Sequence, residues 1–472
     1  MSSTWFTKDF VPTPAARVYA LGELAKRAGV SADFYRTWAV EVTSQCTRIT
    51  FPLRPGRSIV FRHAPAEWWA QIDAPVPVAC AGWMSAPAKA LATAIPNFFV
   101  PFAPIDFSGP LFRTEGPNQV TCDIDLPASI LLNLSRVEEL LSPERDAHGR
   151  FPAHGSAAFR HKYCDRPVVD EYGFAFEQAL SYLLPGWKPA AKRLRVKLTH
   201  DIDVVGLPFD GRAMAGHVLR RGALLAGVRD ALAPFTGLLP AYLQCTLWLA
   251  KLAREYDLPS AMYWKASPRA QFDSGYDIHG AKLSRVIQRL RADGVEHGVH
   301  PGYDTFQNPD LLEREVSVLR QVLGESAPGG RQHYLRWSPA TWSHWEGCGL
   351  SYDSSVSYSE TVGFRSGTCH PYHPWLFDRN REANLLEIPL IAMDVSLTEG
   401  MGLRGQECLP PVFNCIERCQ MVGGVFTLLW HNNSLLEPWY GGVYPVILQK
   451  LTGSAHFAPA VANLPYLIPE VA

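Results

Sequence analysis

The stretch Val196-Lys197-Leu198-Thr199-His200-Asp201-Ile202-Asp203 decides how the rest of this 472-residue chain is read. It is a short β-type run that ends in one histidine and two aspartates. Side chains along a strand alternate faces with a period of two. Leu194, Val196, Leu198, His200 and Ile202 therefore share one face, and Lys197, Thr199, Asp201 and Asp203 share the other. Two carboxylates on one face, with one residue between them, can divide the labour. One can hold a cation while the other takes a proton from a bound water. The competing reading is that an aspartate here only holds a turn after the strand. Short aspartate motifs also arise by chance.

Downstream of residue 259 the pattern is βα. Ser260-Ala261-Met262-Tyr263-Trp264 reads as a strand. Leu283, Val286, Ile287 and Leu290 fall at helical spacing, with Gly294 where a C-terminal cap belongs. A brief strand then leads into Glu296-His297-Gly298-Val299-His300-Pro301-Gly302-Tyr303-Asp304. Asn308 suits a helix cap, Pro309 suits the first turn, and Leu312, Val316, Leu319 and Leu323 form the buried stripe. Further strands are expected near Leu385–Leu390 and Val425–Trp430. Strands alternating with amphipathic helices imply a largely parallel sheet or barrel, with its chemistry at the C-terminal strand ends. The two aspartates, His300 and His431 each fall at such an end.

Upstream, residues 1–190 read as a separate α/β or α+β domain and residues 191–472 as the (β/α) barrel domain. Ser58–Phe61 and Val120–Asp125 look like strands. Leu134–Leu141 and Glu171–Leu184 look like helices. Pro185-Gly186-Trp187-Lys188-Pro189 carries two prolines and a glycine and marks the boundary. Residues 231–250 hold no charged side chain and follow Arg212, Arg220, Arg221 and Arg229. Pro234, Gly237, Pro240 and Gln244 interrupt the run. Buried or groove-lining helices are expected there, with peripheral membrane contact as the minor alternative.

Two or three units fit the length. The apolar share of 47% and the charged share of 19% fit a globular protein with a large core. A net charge of −1 argues against a general affinity for nucleic acid. The ten cysteines form no C-x-x-C pair, and buried reduced thiols are expected of them rather than a zinc knuckle at Cys408, Cys415, Cys419 and His431. The first residues lack a basic start followed by an apolar run, so cytoplasmic residence is the expectation. Trp337, Trp342, Trp345 and Trp375 could stack on sugar rings, although aromatic residues more often pack cores. Asp353 could only hold its turn.

Several motifs in order resemble one family. They are Thr199-His200-Asp201-Ile202-Asp203, His300-Pro301-Gly302-Tyr303, Arg331, Tyr352-Asp353-Ser354-Ser355 and Leu429-Trp430-His431. Together they resemble the polysaccharide deacetylase (NodB-homology, carbohydrate esterase family 4-like) superfamily over roughly residues 191–440. The match is to a bacterial branch with a long N-terminal domain and a Gly363-Phe364-Arg365-Ser366-Gly367-Thr368 segment. The resemblance implies a distorted (β/α) barrel and metal-assisted removal of an acyl group from an amino sugar. It makes Asp201 the general base and His431 the acid that protonates the leaving amine. Asp203 and His300 become metal ligands. Arg331 matches an arginine that orients the base, and Tyr303, Arg331 and Arg365 are assigned to substrate binding. Two departures stand out. Ile202 separates aspartates that are usually adjacent, and Asp304 stands where the family has its second histidine. The third ligand is expected at Asp304, with His200 as the alternative.

Imidazole and carboxylate ligands favour Zn²⁺, with Co²⁺, Ni²⁺ or Mn²⁺ as substitutes. The leading expectation is a cytoplasmic, metal-dependent deacetylase acting on a carbohydrate: an N-acetylated sugar or a glycan precursor. A catalytically weakened barrel that binds glycan or a partner is the second reading. A glycoside hydrolase using Asp201 and Asp353 is the third.

Overall fold

The computed structural model describes residues 11–65, 78–101, 107–206, 232–233, 236, 238–324, 328–437 and 442–453. The chain divides into two compact units. The first comprises Met1–Leu194, Gly363–Pro389 and Arg418–Gly424, and the second Arg195–Val362, Leu390–Glu417 and Val425–Ala472.

The first unit is α+β. Its five-stranded sheet runs in the order Ala39–Val42, Cys46–Thr50, Ser58–Arg62, Gln119–Cys122, Arg113–Thr114. The pairings are antiparallel except Ser58–Arg62 with Gln119–Cys122, which is parallel. Helix Pro14–Arg27 starts on a Thr13 cap that accepts the Ala16 N–H at 3.2 Å, with Pro14 in the first turn. It crosses helix Val168–Leu183 closely at Gly173. A Cβ there would lie 2.7 Å from the Arg27 carbonyl group, so only glycine fits.

The expected helix Leu134–Leu141 is two helices, Leu126–Leu134 and Val137–Leu141. Arg136 between them is left-handed at φ 52°. Its guanidinium is committed instead to Glu139 and to the Arg365 carbonyl oxygen. Buried ion pairing thus overrides a continuous apolar repeat. Asp146 accepts the His148 and Arg150 N–H groups and so holds the Asp146–Pro152 loop.

A boundary drawn at residue 190 leaves out two returning segments. Residues 363–389 belong with the first unit because their polar groups are satisfied there. The Val169 N–H donates to Gly367 O at 2.8 Å, and the Cys369 N–H donates to Asp170 Oδ2 at 2.9 Å. Gly363 is at φ 139°, and a Cβ there would meet Cys164 O at 2.3 Å. The Arg365 assignment to substrate binding is corrected by the same packing. Its Nε and Nη2 donate to Glu139 Oε1 and Oε2 at 2.9 and 2.6 Å, and both residues are buried. Burial pushes the Glu139 carboxyl up, but Arg365 and Arg136 together hold it below its ordinary value. Trp375 is also core of this unit.

The second unit is the distorted (β/α) barrel. Its strands lie side by side in the order Tyr352–Asp353, Gly329–Gly330, Glu296–Val299, Ser260–Trp264, Arg195–Asp201, Val425–Leu429, Ala392–Met393. Every one of these pairings is parallel. The first five strands in the chain are therefore successive neighbours, and the last two return to the far side of the opening strand. That order puts Arg195–Asp201 inside the sheet, paired on one side with Ser260–Trp264 and on the other with Val425–Leu429. The helices between strands keep their expected stripes. Leu283, Val286, Ile287 and Leu290 are buried on Ala281–Ala292, and Leu312, Val316, Leu319 and Leu323 on Pro309–Leu323. Each such side chain contributes about 1.5–3 kcal/mol.

The expected strand near Leu385–Leu390 is only Leu386–Glu387. Residues 241–250 belong to helix Ala241–Glu255, whose buried side chains include Tyr242, Leu243 and Leu249. Most of the preceding basic stretch, with Arg212, Arg220, Arg221 and Arg229, lies outside the described residues. Among the described residues no helix is long and apolar enough to cross a membrane.

Arg365→Ala is expected to lower the unfolding free energy by about 3 kcal/mol, because it strips a partner from buried Glu139. Urea unfolding measures this. The KM of the folded variant should match wild type, and a raised KM would return Arg365 to substrate binding.

Candidate metal and acid–base site

The site is assembled from strand ends. Asp201 ends the strand Arg195–Asp201, and Lys265, His300, Arg331 and Asp394 each directly follow a parallel strand. His431 comes two residues after Leu429. Asp201 and Asp203 both reach His300, at 3.6 Å from its Nδ1 and 3.3 Å from its Nε2, while His200 and Ile202 are fully buried.

Asp203, His300 and His333 form the group that could hold a metal ion among the described residues. One ligand atom from each lies within 4.8 Å of the other two. Asp203 Oδ1 is 3.3 Å from His300 Nε2 and 3.1 Å from His333 Nε2. Asp203 Oδ1 and His300 Nε2 are buried without a directed hydrogen bond, the condition in which a cation satisfies both. The opposite ring nitrogens are already engaged. His300 Nδ1 donates to the Arg331 carbonyl oxygen at 2.7 Å, and His333 Nδ1 faces Asp273 Oδ1 at 2.9 Å. Such contacts set the tautomer that leaves Nε2 free to ligate. One carboxylate and two imidazoles match the usual three protein ligands of a catalytic zinc site.

The third ligand is therefore a correction. Asp304 is exposed in the turn Tyr303–Thr305 and is not part of this group. His200 is not part of it either. Its Nδ1 is bonded to Trp430 O at 2.8 Å, and burial pulls its pKa down to about 4. His333 takes the place, from the turn His333–Leu335. Cys408, Cys415 and Cys419 are buried, form no disulfide, and join no metal group among the described residues.

The charges explain how the group tolerates burial. Burial would raise the Asp203 pKa, but His333, His300 and Lys265 hold it well below the carboxylate range. Burial acts on Asp273 in the same sense and is overcome by His333 and Lys265. His333 is raised, because Asp203 and Asp273 outweigh its desolvation.

Asp201 and His431 complete the arrangement. Arg331, fully buried, donates from Nη1 to Asp201 Oδ1 at 2.9 Å. Its Nε and Nη2 are spent on Ser354 O and Oγ at 2.8 and 3.0 Å, so it reaches Asp201 in one fixed pose. Arg331 is thus a partner of Asp201. His431 Nδ1 lies 2.7 Å from Asp394 Oδ1, and its N–H donates to Asp394 Oδ2 at 2.8 Å. His431 Nε2 points toward Asp203 Oδ2, 3.7 Å away. Burial depresses the imidazolium, but Asp394, then Asp203 and Asp201, raise His431 to about 9.

The remaining expectations resolve locally. Asp353 accepts the Ser355 N–H at 3.0 Å, so it holds its turn, and burial raises its carboxyl to about 7. His297 accepts the Trp264 indole N–H at 2.9 Å. Trp337, Trp342 and Trp345 are buried core. Tyr303 is 9% exposed, 4.3 Å from the Phe272 ring and under the Arg336 guanidinium at 3.8 Å. The most exposed ring of that cluster is Tyr334, 37% exposed, at φ 59° and 4.8 Å from His333. Strained left-handed backbone at a non-glycine residue is a feature of functional loops.

Sequence reading missed His333, Asp273, Lys265 and Asp394. Lys265 carried a usable signal, since it directly follows the strand read at Ser260–Trp264, whereas Asp394 follows Ala392–Met393, beyond the strand expected near Leu385–Leu390. His333 and Asp273 lie on loops and carried none.

Comparisons with known proteins add the following. Residues 43–185 match a family described as "Family of unknown function (DUF7033)". No curated protein matches the sequence. Among solved structures, the chain is similar to a "putative polysaccharide deacetylase from Mycobacterium smegmatis", at 17% identity and TM-score 0.39, covering 57% of this chain and 88% of that one. It is similar to Puue allantoinase at 14% identity and TM-score 0.39, covering 58% and 91%. It is also similar to a "probable Polysaccharide deacetylase from Pseudomonas aeruginosa PAO1", at 16% identity and TM-score 0.38, covering 56% and 86%. The reading of the site rests on the side chains.

In the metal-free protein His431 should stay protonated at pH 8, and Asp394→Asn should lower its pKa. The raised pKa stabilises the fold fully below the unfolded value near 6.5, and that stability is lost as pH rises through about 9. His333 acts in the same direction. Imidazole ¹⁵N titration of both proteins checks this. Titration of wild-type His431 near 6.5, unmoved by Asp394→Asn, would contradict it.

Proposed function

We propose that this chain is a metal-dependent amide hydrolase that removes an acetyl group from an N-acetylated sugar or glycan precursor. The observation that carries the reading is that Asp201 and His431 both reach the Asp203–His300–His333 group, with Asp201 Oδ2 3.6 Å from His300 Nδ1 and His431 Nε2 3.7 Å from Asp203 Oδ2. The sugar half of the reading comes from the order of the motifs. The amide half is supported by the chemistry of the side chains.

A divalent ion held by Asp203, His300 and His333 would polarise an acyl carbonyl and make water a better nucleophile near neutral pH. Asp201, kept in place by Arg331, takes a proton from the attacking water. That water's oxygen bonds to the acyl carbon. His431, charged beside Asp394, gives its Nε2 proton to the departing nitrogen as the C–N bond breaks. The products are a carboxylic acid and a free amine, and the two proton transfers balance. Tyr334 offers an exposed ring beside His333 on which a sugar could stack.

The weakened-barrel alternative rested on a missing second histidine, and His333 provides a second imidazole. The glycosidase alternative needs two carboxylates open to one substrate, and Asp353 is fully buried with its Oδ1 accepting the Ser355 N–H.

Purified protein loaded with Zn²⁺ or Co²⁺ should release acetate from a member of an N-acetylated saccharide panel. His431→Ala and Asp201→Asn should each lower kcat by about 10²–10⁴-fold while keeping metal. No acetate release from metal-loaded protein across a broad panel would remove the deacetylase reading. Unchanged kcat in either variant would remove that residue from the mechanism.

A further inference from the structure

We propose that Lys265 is a built-in cation that weakens metal binding at this centre and keeps the bound ion exchangeable. The inference rests on reading Asp203, His300 and His333 as metal ligands. Lys265 is only 1% exposed. Its Nζ lies 2.6 Å from Asp273 Oδ1, 3.6 Å from Asp203 Oδ1, and 3.3 and 3.4 Å from the two ring nitrogens of His333. A fixed ammonium therefore stands against two of the three ligands.

Its root cannot drift away. Strand Ser260–Trp264 pairs with Arg195–Asp201 so that Asp201 lies opposite Tyr263. Two residues further on, Asp203 and Lys265 leave the sheet side by side. The Lys265 N–H donates to the Tyr276 hydroxyl at 2.8 Å, and that hydroxyl donates to Ile202 O at 2.9 Å. One tyrosine thus ties Lys265 to the turn that carries Asp203.

An ammonium has three donors and no acceptor, so it cannot ligate a metal. It competes for Asp203 Oδ1 before an ion binds and repels the ion afterwards. Water screens little of this at a buried position. Asp273 offsets one positive charge and spares the site a larger penalty. Asp203, Asp273 and Lys265 sum to one negative charge with neutral imidazoles, against two without the lysine. The centre is therefore less attractive to a dication than its ligand set alone would be.

The test uses the full chain, stripped of metal and titrated with Zn²⁺ alone in competition with a chromophoric chelator. Lys265→Met and Lys265→Gln should bind Zn²⁺ at least tenfold more tightly than wild type and surrender it to the chelator more slowly. Lys265→Arg, which keeps the charge, should stay near wild type. Thermal melts of the stripped proteins identify folded variants, and the polar Gln variant covers the case in which Met does not fold. Equal or weaker Zn²⁺ binding in Lys265→Met and Lys265→Gln would overturn the inference and leave the metal centre standing. If wild type and both neutral variants all fail to bind, the metal centre and this inference fall together.

Discussion

The site depends on one carboxylate, Asp203, held where two imidazoles and an ammonium converge. Its Oδ1 is within 3.6 Å of His300 Nε2, His333 Nε2 and Lys265 Nζ. An ionised carboxylate at such a place is costly unless its surroundings are cationic or a metal is present. The barrel meets this constraint by bringing strand ends together. Because its sheet is parallel, Asp201, Lys265, His300, Arg331 and Asp394 all emerge at the same rim.

Close packing below the rim sets the spacing above it. A Cβ on Gly330 would meet Val299 O at 1.8 Å, and one on Gly298 would meet Gly329 O at 2.4 Å. These glycines let neighbouring strands carry His300 and Arg331 near enough for His300 Nδ1 to reach the Arg331 carbonyl oxygen. The same backbone contact aims Nε2 at Asp203. Arg331 in turn reaches Asp201, so Asp203, through His300, and Asp201 share one support.

The sequence carried the architecture well where periodicity is strong. Ser260–Trp264, the stripe Leu283–Leu290 and the Asn308 cap with Pro309 all appear as read. It carried the two-residue strand Gly329–Gly330 poorly, because glycine has no strand signature. The helix break at Arg136 was invisible, since the Glu139 and Arg365 contacts that favour it come together only in the fold. Within the site, Asp201, Asp203, His300, Arg331 and His431 were legible through motif order and strand-end position. His333 was not. It lies thirty-three residues beyond His300, in a loop whose course depends on the strands on either side of it. Asp304, read as its substitute, shared only a sequence spacing.

Anomalous diffraction at the zinc edge, from crystals grown with Zn²⁺, tests the central claim most directly. The account predicts one strong peak in the second unit, bonded to a carboxylate oxygen of Asp203 and to Nε2 of both His300 and His333, with Asp304 and His200 outside the coordination sphere. A peak ligated by Asp304 or His200 in place of His333, or no peak at these residues, would contradict it.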